Sequence, residues 1–175
     1  MTELLLGSGN SRAKRIYRTG HEEWEALTTL DIDPNCKPDI VWDLNELPLP
    51  FEDNTFDEIH SVHCLEHHGG PQGNWRAFFD FFSDIWRILK PNGYFFGIVP
   101  ALSSRWLWTD PGHVRAISLE TLMFLDQDEY KKQIGVTNMT DYRHWYKADF
   151  ALRYSQEEDD EYRFILEAIK PSRLA

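Results

Sequence analysis

The chain has 175 residues, 42 % of them hydrophobic and 14 % aromatic, enough to bury the core of one domain spanning residues 1–175. Its formal net charge of −11 excludes a protein held to nucleic acid mainly through phosphate contacts, which need a basic face, and disfavours a duplex partner. Two cysteines, Cys36 and Cys64, without C-x-x-C spacing exclude a disulfide scaffold and read as free thiols of a reducing compartment. No leader-like segment and no apolar run of membrane-spanning length is present, so the expected location is the cytoplasm, with no membrane partner.

The first element is the run Leu4-Leu5-Leu6, a short strand of the fully buried, parallel kind, broken at once by Gly7-Ser8-Gly9. A buried strand entering a Gly-x-Gly turn is how a Rossmann-like nucleotide site opens, although a tight turn after a core strand explains the same residues. Residues 11–25 are polar. Asn10 or Ser11 is a good N-cap for a helix that Gly20 ends, and Arg12, Lys14, Arg15 and Arg18 make a local basic patch. Residues 26–32 (ALTTLDI) read as a second strand, closed by the turn Asp33-Pro34-Asn35. Residues 39–44 (DIVWDL) are a third strand, following so closely that any helix between the two shrinks to a turn. A proline-rich loop over 47–54 leads to a fourth strand over 56–63.

The spacing predicts a helix over 74–90, with Trp75, Phe78, Phe79, Phe82, Ile85, Trp86 and Leu89 on one face, Asn74 as its N-cap and Pro91-Asn92-Gly93 as its stop. Residues 94–99 (YFFGIV) are a buried fifth strand and 100–116 an aromatic loop. Ser118 caps a short helix with Leu119, Leu122 and Met123 facing inward. Residues 144–154 and 162–169 read as two strands of a hairpin about the acidic run 157–161, expected to be a solvated turn. Strands alternating with crossovers, then an antiparallel pair, define an α/β domain with a mostly parallel sheet.

In open α/β sheets ligands sit at the carboxyl ends of the strands. Four such ends carry usable groups. Gly7, Ser8 and Gly9 offer backbone N–H groups to an anion such as a carboxylate. Asp31, 22 residues after Gly9, stands where an acid holds a ribose hydroxyl pair. Asp43 and Leu44 offer a polar and an apolar flank for an adenine ring, and Ser61, Val62 and His63 close the fourth strand. Any one of these has a structural reading; all four at matching ends favour a site. A dinucleotide fingerprint would want a third glycine where Arg12 stands, which disfavours NAD. His60, His63, His67 and His68 with Cys64 raise a metal site, but alternation on a strand sends His60 and His63 to opposite faces, and no metal is assigned.

With these residues in view, the sequence resembles the class I S-adenosylmethionine-dependent methyltransferases, in particular the small ones of type 11. LLLGSGN resembles the glycine loop, LDIDP the end of the second strand, DLNELPLPFEDNTFDEIHSVHCLEH the segment from an Asp through "LPF" and "FD" to "LEH", and RILKPNGYFFGIVP the helix-to-strand turn. The resemblance implies a Rossmann-like, seven-stranded sheet with an antiparallel last strand in a three-layer sandwich, and methyl transfer from S-adenosylmethionine to an acceptor that the charge makes a small molecule rather than duplex nucleic acid. It further implies that Gly7, Ser8 and Gly9 contact the methionine part, that Asp31 holds the ribose with Ile32 against the adenine, that Asp43 faces the adenine amine beside Leu44, and that Ser61, Val62 and His63 line the methionine end. The "LEH" match accounts for His67 without metal. Leu5 stands where the family often has an acid, and Asn92 replaces a glycine of the helix-to-strand turn. These departures support a second reading, a methyltransferase-like binding module that has lost catalysis. The loop after the fifth strand covers the acceptor side, and His113 in it is the candidate base; its alternative role is a loop-ordering hydrogen bond, and Trp106 and Trp108 are expected to pack.

Overall fold

The computed structural model describes residues 1–70 and 74–174. Alternation along the first strand, β1 (Thr2–Leu6), puts Leu4 and Leu6 on one face of the sheet and Glu3 and Leu5 on the other, and all four are buried. The remaining strands are β2 (Ala26–Asp31), β3 (Ile40–Val41), β4 (Phe56–Val62), β5 (Leu89–Pro100), β6 (Phe150–Glu158) and β7 (Glu161–Ala168). They form one sheet in the order β3-β2-β1-β4-β5-β7-β6. β1 to β5 pair in parallel, and β7 runs antiparallel between β5 and β6. This is the Rossmann-like mixed sheet the sequence led us to expect. The chain order reverses at β1, so the crevice beyond β1 and β4 is the topological switch point where α/β sheets bind ligands.

Helix α1 (Trp75–Ile88) follows from its pattern: Asn74 Oδ1 accepts from Ala77 N at 3.3 Å, and Phe78, Phe82 and Ile85 are buried against the sheet. Phe82 lies edge-on to Phe95 of β5 and Phe150 of β6. Phe81, outside the expected face, is also buried and packs on His68. The helix ends two residues early because β5 begins at Leu89, with Asn92 in the left-handed region at φ 62°. Three short helices follow: α2 (Trp106–Thr109), α3 (Leu119–Met123), capped by Ser118 as expected, and α4 (Gln127–Gln133), absent from the sequence-based expectation although Asp126 caps it through Asp128 N and Glu129 N; Leu122 of α3 and Tyr130 of α4 join the α1 side of the core.

The helix expected over 11–20 does not form. Lys14 instead reaches under the sheet, where Nζ lies 2.5 Å from Glu3 Oε1 and 3.1 Å from Glu58 Oε2. Arg18 donates to Glu58 Oε1 at 2.9 Å, Arg12 to the carbonyls of Gly9 and Cys36, and Arg15 to Glu161. Ile16 packs on Phe96, Ile98 and Ile165. These long-range pairings pull the segment open, so the third layer is irregular chain, and the supposed basic patch is consumed by internal partners. The third strand shrinks to two residues because Asp43 Oδ1 accepts from Asn45 N and starts a turn. β6 begins at Phe150 rather than at 144, since Trp145 and Tyr146 turn back on the Tyr142 carbonyl. The acidic run is not all solvated turn: Asp159 and Asp160, both at positive φ, make the hairpin turn, while Glu161 holds Arg15, Arg163 and His63.

Candidate active site

Gly7 leaves β1 at φ 58°, a left-handed angle glycine adopts without strain, and a Cβ there would lie 2.4 Å from Cys64 Sγ. That close approach of the turns after β1 and β4 lines a cavity of about 370 Å³ at the switch point. Of the expected residues, Gly7, Asp31, Ile32, Asp43, Leu44 and His63 line it. Leu30, Trp42, Asn45, Cys64, His67 and His68 line it as well and were not foreseen. Trp42 and Asn45 flank Asp43 and Leu44, so the DLN turn carried a local signal; the stretch from Cys64 to His68 is placed by the turn after β4.

The Asp31 carboxylate is buried and accepts from Gly9 N at 2.7 Å and from Asp33 N at 2.9 Å, one bond on each oxygen. Each oxygen keeps a further lone pair. Ile32 beside it is 63 % exposed, an apolar side chain open to the cavity. Asp43 Oδ1 accepts from Asn45, and Asn45 Oδ1 accepts from Gly69 N at 3.0 Å, which ties this wall to the loop after β4.

Four expected residues do not line the cavity. Ser8 N donates to the Leu30 carbonyl and Gly9 N to Asp31, so both amides already have partners within the chain. Ser61 and Val62 stay within β4, paired with Gly97 and Ile98 of β5. The strand stops there because His63 sits at φ 50°, an angle that costs a non-glycine residue strain and turns the chain into the 3₁₀ turn Leu65–His67. His63 thereby projects between Glu66 Oε1, 3.5 Å from Nδ1, and Glu161 Oε1, 2.8 Å from Nε2. Hydrogen bonding to Glu66 and then Glu161 raises its pKa against the opposing effect of burial. Burial, with Glu66 and Asp31 nearby, pushes the Cys64 thiol up to about 12, which keeps it protonated at pH 7. Burial and then Arg115 hold His68 down to about 4, so it is neutral at pH 7.

A second cavity, of about 460 Å³, adjoins the first and shares His63 and His67 with it. Glu66, Ser104, Trp106, Asp110, His113 and Glu161 are among its other walls. His113 faces it with a nearly buried ring: Nδ1 lies 2.9 Å from the Leu107 carbonyl, and Nε2 is 3.9 Å from Glu66 Oε1 and from Asp110 Oδ2. The loop-ordering bond is therefore present at Nδ1, and Nε2 is left without a hydrogen bond. Trp106 and Trp108, expected to pack, are instead exposed.

The sequence profile described as the methyltransferase domain matches residues 4–97, more than half of the chain, and the chain belongs to that family. It is similar to the demethylmenaquinone methyltransferase of Tropheryma whipplei (strain Twist), 36 % identical over 101 residues, with 51 % of this chain and 38 % of that enzyme covered. The chain thus spans less than half the length of that relative. Among solved structures it is similar to an S-adenosylmethionine-dependent methyltransferase from Archaeoglobus fulgidus, with a TM-score of 0.59 at 16 % identity over 95 % of this chain and 85 % of that one. It is also similar to the 1,6-didemethyltoxoflavin-N1-methyltransferase of Burkholderia thailandensis, solved with 1,6-didemethyltoxoflavin and S-adenosylhomocysteine, at a TM-score of 0.57 and 15 % identity over 97 % and 71 % of the two chains. At these identities the structures share the fold. Among the described residues no helix is long and apolar enough to cross a membrane.

Proposed function

We propose that this chain is an S-adenosylmethionine-dependent methyltransferase, with the cofactor in the first cavity and a small-molecule acceptor in the second. The observation that carries this reading is that two cavities meet at His63 and His67, one of them lined by the residues the family resemblance assigns to the cofactor. The donor set fits: Asp31 has lone pairs for two ribose hydroxyls, and Ile32, Trp42 and Leu44 give an adenine apolar surface with Asp43 at its polar edge. Bound there, S-adenosylmethionine supplies a methyl group already activated on a sulfonium.

The chain's own part is alignment, since proximity supplies much of the rate of such a displacement. His63 and His67 form the wall between cofactor and acceptor. His113 is the candidate base, its ring fixed by the Leu107 carbonyl and its Nε2 open toward the acceptor cavity. A small-molecule acceptor agrees with the net charge of −11, with the internal pairing of the basic side chains of 12–18, and with the small substrates named for the two relatives above. The second reading, a binding module without turnover, is favoured by one observation: the amides of Ser8 and Gly9 are taken by the fold.

Incubation of the chain with S-adenosylmethionine and the low-molecular-weight fraction of a cell extract tests the choice. Release of S-adenosylhomocysteine is expected, and His113→Asn should lower its rate while leaving cofactor affinity nearly unchanged. Cofactor binding with no release on any fraction would favour the module.

A further inference from the structure

Glu66 and His67 lie side by side in the 3₁₀ turn after β4, and His113 comes from the loop after β5, 46 residues later. One ligand atom from each falls within 4.8 Å of the others. Two features go beyond simple clustering. Glu66 is 1 % exposed; its Oε1 lies 3.9 Å from His113 Nε2 and 3.5 Å from His63 Nδ1, and its Oε2 has no hydrogen-bond partner, a costly state for a buried carboxylate oxygen. His113 presents Nε2 while Nδ1 is fixed on a backbone carbonyl, the second-shell arrangement that orients metal-binding imidazoles. Gly112 leaves the space: a Cβ there would lie 2.9 Å from His67 Nδ1.

We propose that Glu66, His67 and His113 bind a first-row divalent cation in the wall of the second cavity. Two imidazoles and one carboxylate on one side of an ion leave positions open for exogenous ligands. A cation about 2.1 Å from each ligand atom needs them to draw together slightly, which the exposed His67 side chain allows. Among the described residues the other cluster of this kind, Glu3, Glu58 and His60, is not a site, because Lys14 Nζ already bridges its two carboxylates.

The site also selects an acceptor class, a conclusion that rests on the methyltransferase reading, whereas the cation site does not. Open positions on a hard or borderline cation take paired oxygens, so the acceptor is a small molecule with a hydroxyl next to a second oxygen. With its Nε2 on the cation His113 acts as a ligand in place of the base role given it above, and the cation's charge favours loss of the hydroxyl proton to solvent. The oxygen then bonds to the methyl carbon as the methyl–sulfur bond breaks, and that electron pair stays on sulfur.

The test is isothermal titration of the untagged chain, freed of metal with EDTA and dialysed, with Zn²⁺ and separately with Mn²⁺. One ion per chain is expected. His67→Gln and His113→Asn should each weaken binding by at least about 10-fold, the least that loss of even an outer-shell partner costs. His144→Asn, on a surface turn elsewhere, should bind as the parent does. Binding of neither ion, or unchanged binding in His67→Gln, overturns the proposal; that variant alters an exposed side chain and decides the matter even if His113→Asn fails to fold. The same metal-free protein is titrated with S-adenosylhomocysteine. Cofactor binding without ion binding removes the cation site alone, and ion binding without cofactor binding removes the function proposed above and leaves the site.

Discussion

The Asp31 carboxylate, at the end of β2, accepts from the amide of Gly9, in the turn after β1, across 2.7 Å. One side chain thus both faces the cavity and fixes the glycine loop that borders it. Asp31→Ala leaves the Gly9 and Asp33 amides without this acceptor, and should cost about 1–3 kcal/mol in a denaturant melt without ligand. Faster hydrogen exchange at Gly9 should accompany it. An unchanged melt would show that water replaces the carboxylate freely.

Gly7 is constrained twice, by φ 58° and by Cys64. Gly7→Ala should cost roughly 1–2 kcal/mol for the left-handed angle alone, and more for the contact. Cys64→Gly in the same chain should recover the second part only, giving a coupling that a double-mutant cycle measures. Strict additivity would show that the two strands part without resistance.

Phe82 is buried among Phe78, Phe81, Phe95 and Phe150. Phe82→Ala should cost about 3–5 kcal/mol. A loss under about 0.5 kcal/mol in a denaturant melt would contradict the packing of α1 on the sheet.

The buried charges beneath the sheet predict acid sensitivity. Burial would raise the Glu58 carboxyl, but hydrogen bonds from His60, Arg18 and Lys14 outweigh it and hold the group at about 2 against its usual 4.5. A carboxyl depressed in the folded state stabilises above its unfolded value, so this contribution, on the order of 3 kcal/mol, is lost as pH falls from 4.5 toward 2. His60, lowered from 6.5 chiefly by burial, adds a decline that starts nearer neutrality, because the unfolded chain protonates first. Melts between pH 6 and 3, below the range in which the raised His63 gains a proton and adds stability, should show stability falling, with a shallower slope for Glu58→Gln below pH 4.5. An equal slope in that variant would assign the acid loss elsewhere.

What could be read from the sequence was local. The leucine run, the aromatic face of α1, the caps at Asn74 and Ser118 and the acid ending β2 are set by near neighbours, and each stands where its pattern puts it. The misreadings involve distant partners. Residues 11–20 carry a helix cap and good helix formers, yet Lys14 and Arg18 are drawn to Glu58, 44 and 40 residues away. Ser61 and His63 look equivalent as strand ends, and only the left-handed turn at His63 decides which faces the cavity. Glu66 and His67 were visible as part of a family motif, but their neighbour His113 is brought to them by the fold of the loop after β5.

Calorimetric titration of the chain with S-adenosylhomocysteine and, in parallel, with NAD tests the account most directly. One molecule of S-adenosylhomocysteine should bind per chain, NAD should not bind, and Asp31→Ala should weaken the first by about 1.5–3 kcal/mol, the worth of hydrogen bonds to a charged acceptor. Tight binding of NAD, or S-adenosylhomocysteine binding that ignores the loss of Asp31, would contradict the assignment of the cavity.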